Sequence, residues 1–169
     1  MHRRAFTLIE ILICLVIISV VAALTVPFFG RDHADRAASG AALLRSDLRF
    51  AQLATMANPQ DPVIVRFRSD GKGYWLARLT TPETPLVRSD TGAAWSEIMG
   101  SGRARSADHV TLATTGVSGA TLRFTPLGSV HAPSGTPKVT LTAGGPGGAP
   151  ASCSVTIDTS TGTSTLTVP

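Results

Sequence analysis

Residues 3–29 read RRAFTLIEILICLVIISVVAALTVPFF, and this stretch decides how the chain is organised. Glu10 is the only charged residue between Arg4 and Arg31. About 20 predominantly apolar residues are enough for a helix to cross the hydrocarbon core of a bilayer. The stretch therefore predicts a transmembrane helix over residues 6–29, with the basic N-terminus kept in the cytoplasm and the rest of the chain sent outward.

Glu10 is the feature of this stretch that a plain membrane helix does not explain. A carboxylate at the centre of a membrane helix costs about 2.5–3.5 kcal/mol on insertion scales, and such a group usually has a partner. From its position alone, Glu10 either lies at the membrane interface and faces water or pairs with a cation inside the bilayer.

Two simpler interpretations of the N-terminus compete with a functional membrane helix. The basic N-terminus fits a cleaved secretory signal, and Ala22 and Ala23 loosely suggest a small-residue cleavage site. However, the apolar run is longer than the roughly 7–15 residues of a signal-peptide core, and such a core does not normally carry a carboxylate near its start. The other alternative is a plain anchor that is never cleaved.

The composition beyond the apolar run favours an exported β-rich domain. Only 15% of the 169 residues are charged, and Thr, Ser, Gly and Ala are abundant. The formal net charge of +4 includes two arginines of the basic N-terminus, so it is weak evidence for an anionic partner. Cys14 lies in the apolar run, whereas Cys153 lies near the C-terminus in the domain that follows. A disulfide requires Cα atoms within about 7 Å, so both cysteines are predicted to be free thiols.

A second helical pattern covers residues 30–57. Small and apolar residues recur there at intervals of four and three, which places them on one helix face: Ala37, Ala41, Leu44, Leu48 and Ala51. Pro59 predicts that this helix ends near residues 56–58, because the residue before a proline disfavours helical geometry. Pro27 removes a backbone donor and predicts a kink between the two helices. Residues 6–57 would together form a rod of roughly 75–80 Å.

Residues 58–169 are predicted to form a β-rich head. Alternating apolar and polar residues predict strands at residues 63–68, 74–79, 109–113, 121–124, 129–131, 138–142, 153–157 and 164–168. Residues 80–108 lack a sustained period and are predicted to be irregular, with a short strand around Trp95. The spacing predicts an antiparallel meander whose one face is covered by the helix. The expected fold class is therefore α+β, with a long N-terminal helix packed on an antiparallel β-sheet head.

The head carries no motif of an enzyme. HExxH, GxSxG, P-loop and Rossmann signatures are all lacking, and the four histidines are far apart in sequence. We therefore expect no catalytic residue, no metal site and no cofactor. Clustered basic residues can bind phosphate, and this makes four arginines candidate DNA contacts: Arg66, Arg68, Arg103 and Arg105. The alternative is that these arginines are scattered surface charges that keep the protein soluble.

The N-terminal features follow one another in a specific order: a basic segment, Ala5, the run Phe6-Thr7-Leu8-Ile9-Glu10 and an apolar helix. This order resembles the leader and helix of type IV pilin-like proteins, which include the pseudopilins of type II secretion. The resemblance implies that a prepilin peptidase cuts between Ala5 and Phe6 and methylates the new amine of Phe6. It also implies that Glu10 pairs with that amine on a neighbouring subunit during filament assembly. The residue before the cut is usually glycine in these proteins, and here it is Ala5.

A second part of the chain resembles the GspH/FimT group of these proteins. It comprises helix residues 44–54, a hairpin that contains Trp75 and the run FTPLG at residues 124–128. The resemblance implies a minor pseudopilin of type II secretion with a structural role in protein export. The alternative is a minor type IV pilin that acts in pilus biogenesis or DNA uptake. Members that bind DNA carry arginines after a glycine in the final strand, whereas no basic residue follows Gly162 here.

The resemblance implies four segments: a leader (1–5), a transmembrane helix (6–29), an amphipathic helix (30–57) and the head (58–169). The expected partners are a prepilin peptidase, other pseudopilins or pilins in a filament, and the inner membrane. Nucleic acid is a further candidate partner. We expect a single-pass protein of the cytoplasmic membrane with its N-terminus in the cytoplasm and its head in the periplasm.

Overall fold

The computed structural model describes residues 8–25, 31–132, 135–145 and 149–168. Within these residues, two α-helices precede ten β-strands. Helix α1 spans Leu8–Thr25, helix α2 spans Arg31–Ala57, and a 3₁₀ helix spans Gly102–Ala107. The strands are β1 Val63–Phe67, β2 Gly73–Arg78, β3 Thr81–Pro85, β4 Ser96–Ile98, β5 Val110–Thr115, β6 Thr121–Phe124, β7 Val130–His131, β8 Lys138–Ala143, β9 Ala151–Ile157 and β10 Ser164–Thr167.

The strands form two antiparallel sheets against which α2 packs, so the α+β class is confirmed. The first sheet has the order β3-β2-β1-β6-β7, with β4 also paired to β2, and the second has the order β10-β9-β8-β5. The predicted single meander is wrong. After β4 the 3₁₀ helix leads the chain into the second sheet, and β6 then returns to pair with β1. Neighbouring strands in each sheet are therefore not always neighbours in sequence.

The predicted apolar face of α2 is confirmed as the centre of the core. All five of its residues are at most 1% exposed. They pack with residues of both sheets, among them Val65, Leu76, Leu141 and Val155. Each fully buried leucine contributes about 1.5–3 kcal/mol relative to its exposed state. Burial on this face therefore holds α2 across the two sheets.

Residues 80–108 contain more regular structure than the sequence predicts. The missed strand is β3, whose sequence TPETP includes two prolines. Proline cannot donate to a strand ladder, so it is confined to edge strands and strand ends. β3 does lie at the edge of the first sheet, where Arg78 pairs with Thr81. Prolines alone therefore do not exclude an edge strand.

Two turns meet the C-terminal half of α2 at one close junction. Gln52 Nε2 donates hydrogen bonds to the carbonyl oxygens of Gly128 (2.7 Å) and Thr161 (2.8 Å). A Cβ atom on Gly162 would lie 2.0 Å from the Gly128 oxygen. Gly162 also has a φ of +68°, a conformation that favours glycine. The junction thus requires glycine at position 162 for two separate reasons.

Asp158 stabilises the turn that leads to Gly162. Its Oδ1 atom accepts hydrogen bonds from the Ser160 hydroxyl (2.6 Å) and from the backbone N–H groups of Ser160 and Thr161 (2.9 Å each). The Ser160 hydroxyl, followed by the Thr161 groups, lowers the pKa of Asp158 to about 2. The turn is therefore held by an ionised carboxylate at neutral pH.

The two cysteines are free thiols, as predicted. Cys153 lies in β9 and is buried, whereas Cys14 lies in α1 and is exposed. Burial raises the pKa of the Cys153 thiol, so this residue behaves as a small apolar side chain of the core.

Candidate assembly site and charged groups of the head

Helix α1 places Glu10 in its first turn. Ala5, Phe6 and Pro27 lie outside the described residues. Cleavage before Phe6, its methylation, the pairing of Glu10 with a neighbouring amine and the kink at Pro27 therefore remain predictions.

Apart from the exposed Glu10, the surface of α1 is largely apolar. Eleven large aliphatic side chains between Leu8 and Val21 are 51–84% exposed. A helix that is apolar all round belongs among other helices or in lipid. None of the helices in the described ranges reaches the length and hydropathy of a membrane span.

Arg66 and Arg68, two of the candidate DNA contacts, lie on and just after strand β1. Arg66 forms an ion pair with Glu83, and its guanidinium lies over the Trp75 ring at 5.3 Å from the ring centroid. The Nε atom of Arg68 lies 3.3 Å from Asp70 Oδ1. Each of these two arginines therefore already has an acidic neighbour within the head.

Arg103 and Arg105, the other two candidates, belong to the 3₁₀ helix. Arg103 Nη1 lies 3.2 Å from Asp47 Oδ1 and 3.1 Å from Glu97 Oε1. Arg105 lines a cavity of about 450 Å³ whose other lining residues include Asp32 and Asp35. The structure thus pairs Arg66, Arg68 and Arg103 with carboxylates, whereas Arg105 only shares a cavity lining with them. The role of all four as DNA contacts remains a prediction.

A buried polar network that the sequence patterns do not predict joins α2 to the strands. Asp47 and Glu97 are 2% and 3% exposed. Tyr74 donates a 2.8 Å hydrogen bond to Asp47 Oδ2, Arg103 bridges the two carboxylates, and Arg88 forms an ion pair with Glu97. Burial, followed by the charge of Asp47, raises the pKa of Tyr74 well above its usual value of 10. Removing one partner of a buried ion pair typically costs about 3–5 kcal/mol.

This network fixes how α2 sits on the head. Asp47 comes from α2, Tyr74 from β2, Glu97 from β4 and Arg103 from the 3₁₀ helix. A weak sequence signal does exist, because Asp47 follows the buried Leu44 by three positions and therefore borders the apolar face of the helix. Its partners are 27 or more positions away, and no local pattern reveals them.

An aromatic contact extends the network along the same side of α2. The rings of Phe50 and Trp95 are stacked with centroids 4.1 Å apart. The Arg88 guanidinium lies over the Trp95 ring, 4.8 Å from its centroid. The segment after β3 thereby contacts the helix through the Phe50–Trp95 ring pair.

The arrangement shows no metal centre among the residues described. No group of three or more His, Cys, Asp or Glu side chains there could hold a metal ion. Arg66, Arg68, Arg88 and Arg103 form ion pairs with carboxylates of the same chain. The processing signature predicted from the sequence lies in the N-terminal segment.

The comparisons with known proteins concern that segment. The family model described as the prokaryotic N-terminal methylation motif matches residues 1–26. No curated protein and no solved structure matches the chain. The motif implies processing by a prepilin peptidase, anchoring to a membrane and assembly with other pilins. The chain therefore carries the N-terminal methylation motif of prokaryotic pilins and pseudopilins.

Proposed function

We propose that this protein is a minor pseudopilin of a type II secretion filament. In this proposal α1 and its flanking residues anchor it in the cytoplasmic membrane, and the head lies in the periplasm. The observation that carries the proposal is the methylation motif over residues 1–26. The exposed apolar surface of α1 supports it, because such a helix is suited to lipid before assembly and to neighbouring helices afterwards.

The proposed assembly chemistry depends on one new charge. Cleavage after Ala5 frees the amine of Phe6, and methylation leaves that amine able to carry a positive charge. The Glu10 carboxylate of a neighbouring subunit then pairs with it. A buried carboxylate is far less costly beside a buried cation than alone, so the pair sets the stagger between two subunits.

The head has a structural role in this proposal. The network of Asp47, Tyr74, Glu97 and Arg103 and the junction at Gln52 fix the head to α2 from two sides. A force applied along the helix is therefore transmitted to the whole head. We propose no catalytic step.

The alternative is a minor type IV pilin that takes part in DNA uptake. DNA binding requires basic groups that are free to neutralise phosphates. The ion pairs of Arg66, Arg68 and Arg103 favour the export function over this alternative.

Deletion of the gene in the native host tests the proposed function. We expect export of type II substrates across the outer membrane to fail, and piliation and DNA uptake to stay normal. Complementation with the unaltered chain should restore export, and Glu10→Val should enter the membrane but fail to join filaments. Glu10→Asp is the matched control that keeps the charge. Normal export with loss of pili or DNA uptake would contradict the proposal and support the alternative.

A further inference from the structure

An open groove lies between α2 and the last strand of the second sheet. Its volume is about 660 Å³. One wall is a stripe of α2 side chains between Ala42 and Met56, and the other is the start of β10 and the turn before it. The charged residues in its lining are Arg45 and Arg49, and the lining contains no carboxylate. Leu53 and Met56, further along α2, are 56% and 47% exposed.

Strand β10 presents a free backbone edge to this side of the sheet. Among the described strands it pairs with β9 alone. The backbone N–H of Ile157 in β9 donates to Pro137 and so points away from β10. Since backbone direction alternates along a strand, Thr165 and Thr167 form the hydrogen bonds to β9. The N–H and C=O groups of Ser164 and Leu166 therefore point outward, and both residues line the groove.

Arg45 and Arg49 of α2 differ from most arginines of the head. Neither forms an ion pair with any residue in the described part of the chain. They are four positions apart on one helix face, where two like charges repel and destabilise the helix. Both are exposed at the groove. This local repulsion would be relieved by an anionic ligand in the groove.

We propose that this groove binds an extended, acidic segment of a partner protein, which adds to β10 as a fifth strand. Strand addition to an open sheet edge gains affinity from main-chain hydrogen bonds and specificity from alternate side chains. Here the side chains that face α2 would be acidic beside Arg45 and Arg49 and apolar beside Leu53 and Met56. The free edge and the apolar end favour a peptide over a nucleic acid, which would use only the two arginines.

The stripe of α2 sets the length of this segment. Residues 42–56 extend over about 21 Å at 1.5 Å per residue. A strand of about six residues covers roughly 20 Å. The inference holds for a secretion filament and for a pilus alike, because it rests on the groove and not on the assembly machinery.

Fluorescence anisotropy with the full chain in lipid nanodiscs tests the proposal. The probe is a labelled hexapeptide, made in both chain directions, in which glutamate, glutamate and leucine alternate with threonine. We expect Arg45→Glu with Arg49→Glu to weaken binding at least about tenfold, as loss of a charged hydrogen bond implies. Arg123→Glu with Lys138→Glu is the matched control, since both residues are exposed and the change in charge is the same. It should leave binding unchanged.

Two further probes separate the parts of the proposal. Two versions of the peptide carry methyl groups on alternate backbone nitrogens, one version on the odd-numbered residues and the other on the even-numbered residues. The version whose methylated nitrogens face β10 should not bind, because the methyl groups block strand pairing. Replacement of glutamate by lysine should abolish binding as well. The proposal is wrong if neither peptide direction binds, if both double variants lose binding equally, or if both methylated peptides bind normally. Tighter binding of a single-stranded oligonucleotide, or a groove closed by a second copy of the chain, would also overturn it.

Discussion

Substitution of Gly162 by alanine tests the junction between α2 and the two turns. The alanine Cβ would lie 2.0 Å from the Gly128 carbonyl oxygen and 2.6 Å from Gln52 Nε2. Left-handed geometry costs a non-glycine residue about 1–2 kcal/mol. Displacing the Gly128 turn would in addition remove the two hydrogen bonds of Gln52, at about 0.5–1.5 kcal/mol each. We therefore expect a loss of about 2–5 kcal/mol in the free energy of unfolding of the head.

Gly92→Ala is the matched control for this substitution. Gly92 has nearly the same φ, +67° against +68°, and a Cβ there would meet no atom within 4 Å. The control should lose only the conformational part, about 1–2 kcal/mol. Urea unfolding of the full chain, followed by the fluorescence of its two tryptophans, measures both variants. Equal losses for Gly162→Ala and Gly92→Ala would refute the close-approach argument.

Three further predictions concern charged and buried groups. Because the folded pKa of Tyr74 is raised above its unfolded value near 10, stability should fall as pH rises above about 10, and Tyr74→Phe should flatten that fall. Tyr74 is the single tyrosine of the chain, so its phenolate absorbance follows the titration directly, and ionisation near pH 10 in the folded state would contradict the prediction. The folded pKa of Asp158 is lowered to about 2. The ionised carboxylate should therefore stabilise the fold above about pH 4, and this stabilisation should be lost between about pH 4 and 2. In Asp158→Asn, the free energy of unfolding should not show this loss. Glu97→Gln leaves the buried charge of Arg88 without its carboxylate, so it should lower the free energy of unfolding in urea by about 3–5 kcal/mol. Glu83→Gln, at an exposed carboxylate, should lower it by under about 1 kcal/mol.

Local patterns in the sequence predict the helices and most strands of this fold. The spacing of Ala37, Ala41 and Leu44 is a property of one helix and identifies its buried face without knowledge of the partner. The strand Thr121–Phe124 is found at its predicted bounds. Both results depend on residues within one helix or one strand.

The sheet order and the polar network depend on contacts that are distant in sequence. β1 pairs with β6, more than fifty positions later, and this pairing is not encoded in either strand's own pattern. Asp47 likewise is an ordinary helix residue until Tyr74 and Arg103 approach it. The processing signature behaves differently, because its parts are contiguous within the first 26 residues and therefore form a local pattern.

The proposed place of this chain in a filament depends on its processing by a prepilin peptidase. Mass spectrometry of the protein purified from the native host's membranes measures that processing. We expect a mature chain that begins at Phe6 and carries one methyl group on its N-terminal amine. An intact chain that begins at Met1, or one that begins after Ala23 as an ordinary signal peptide would leave it, would show that the proposed processing does not occur.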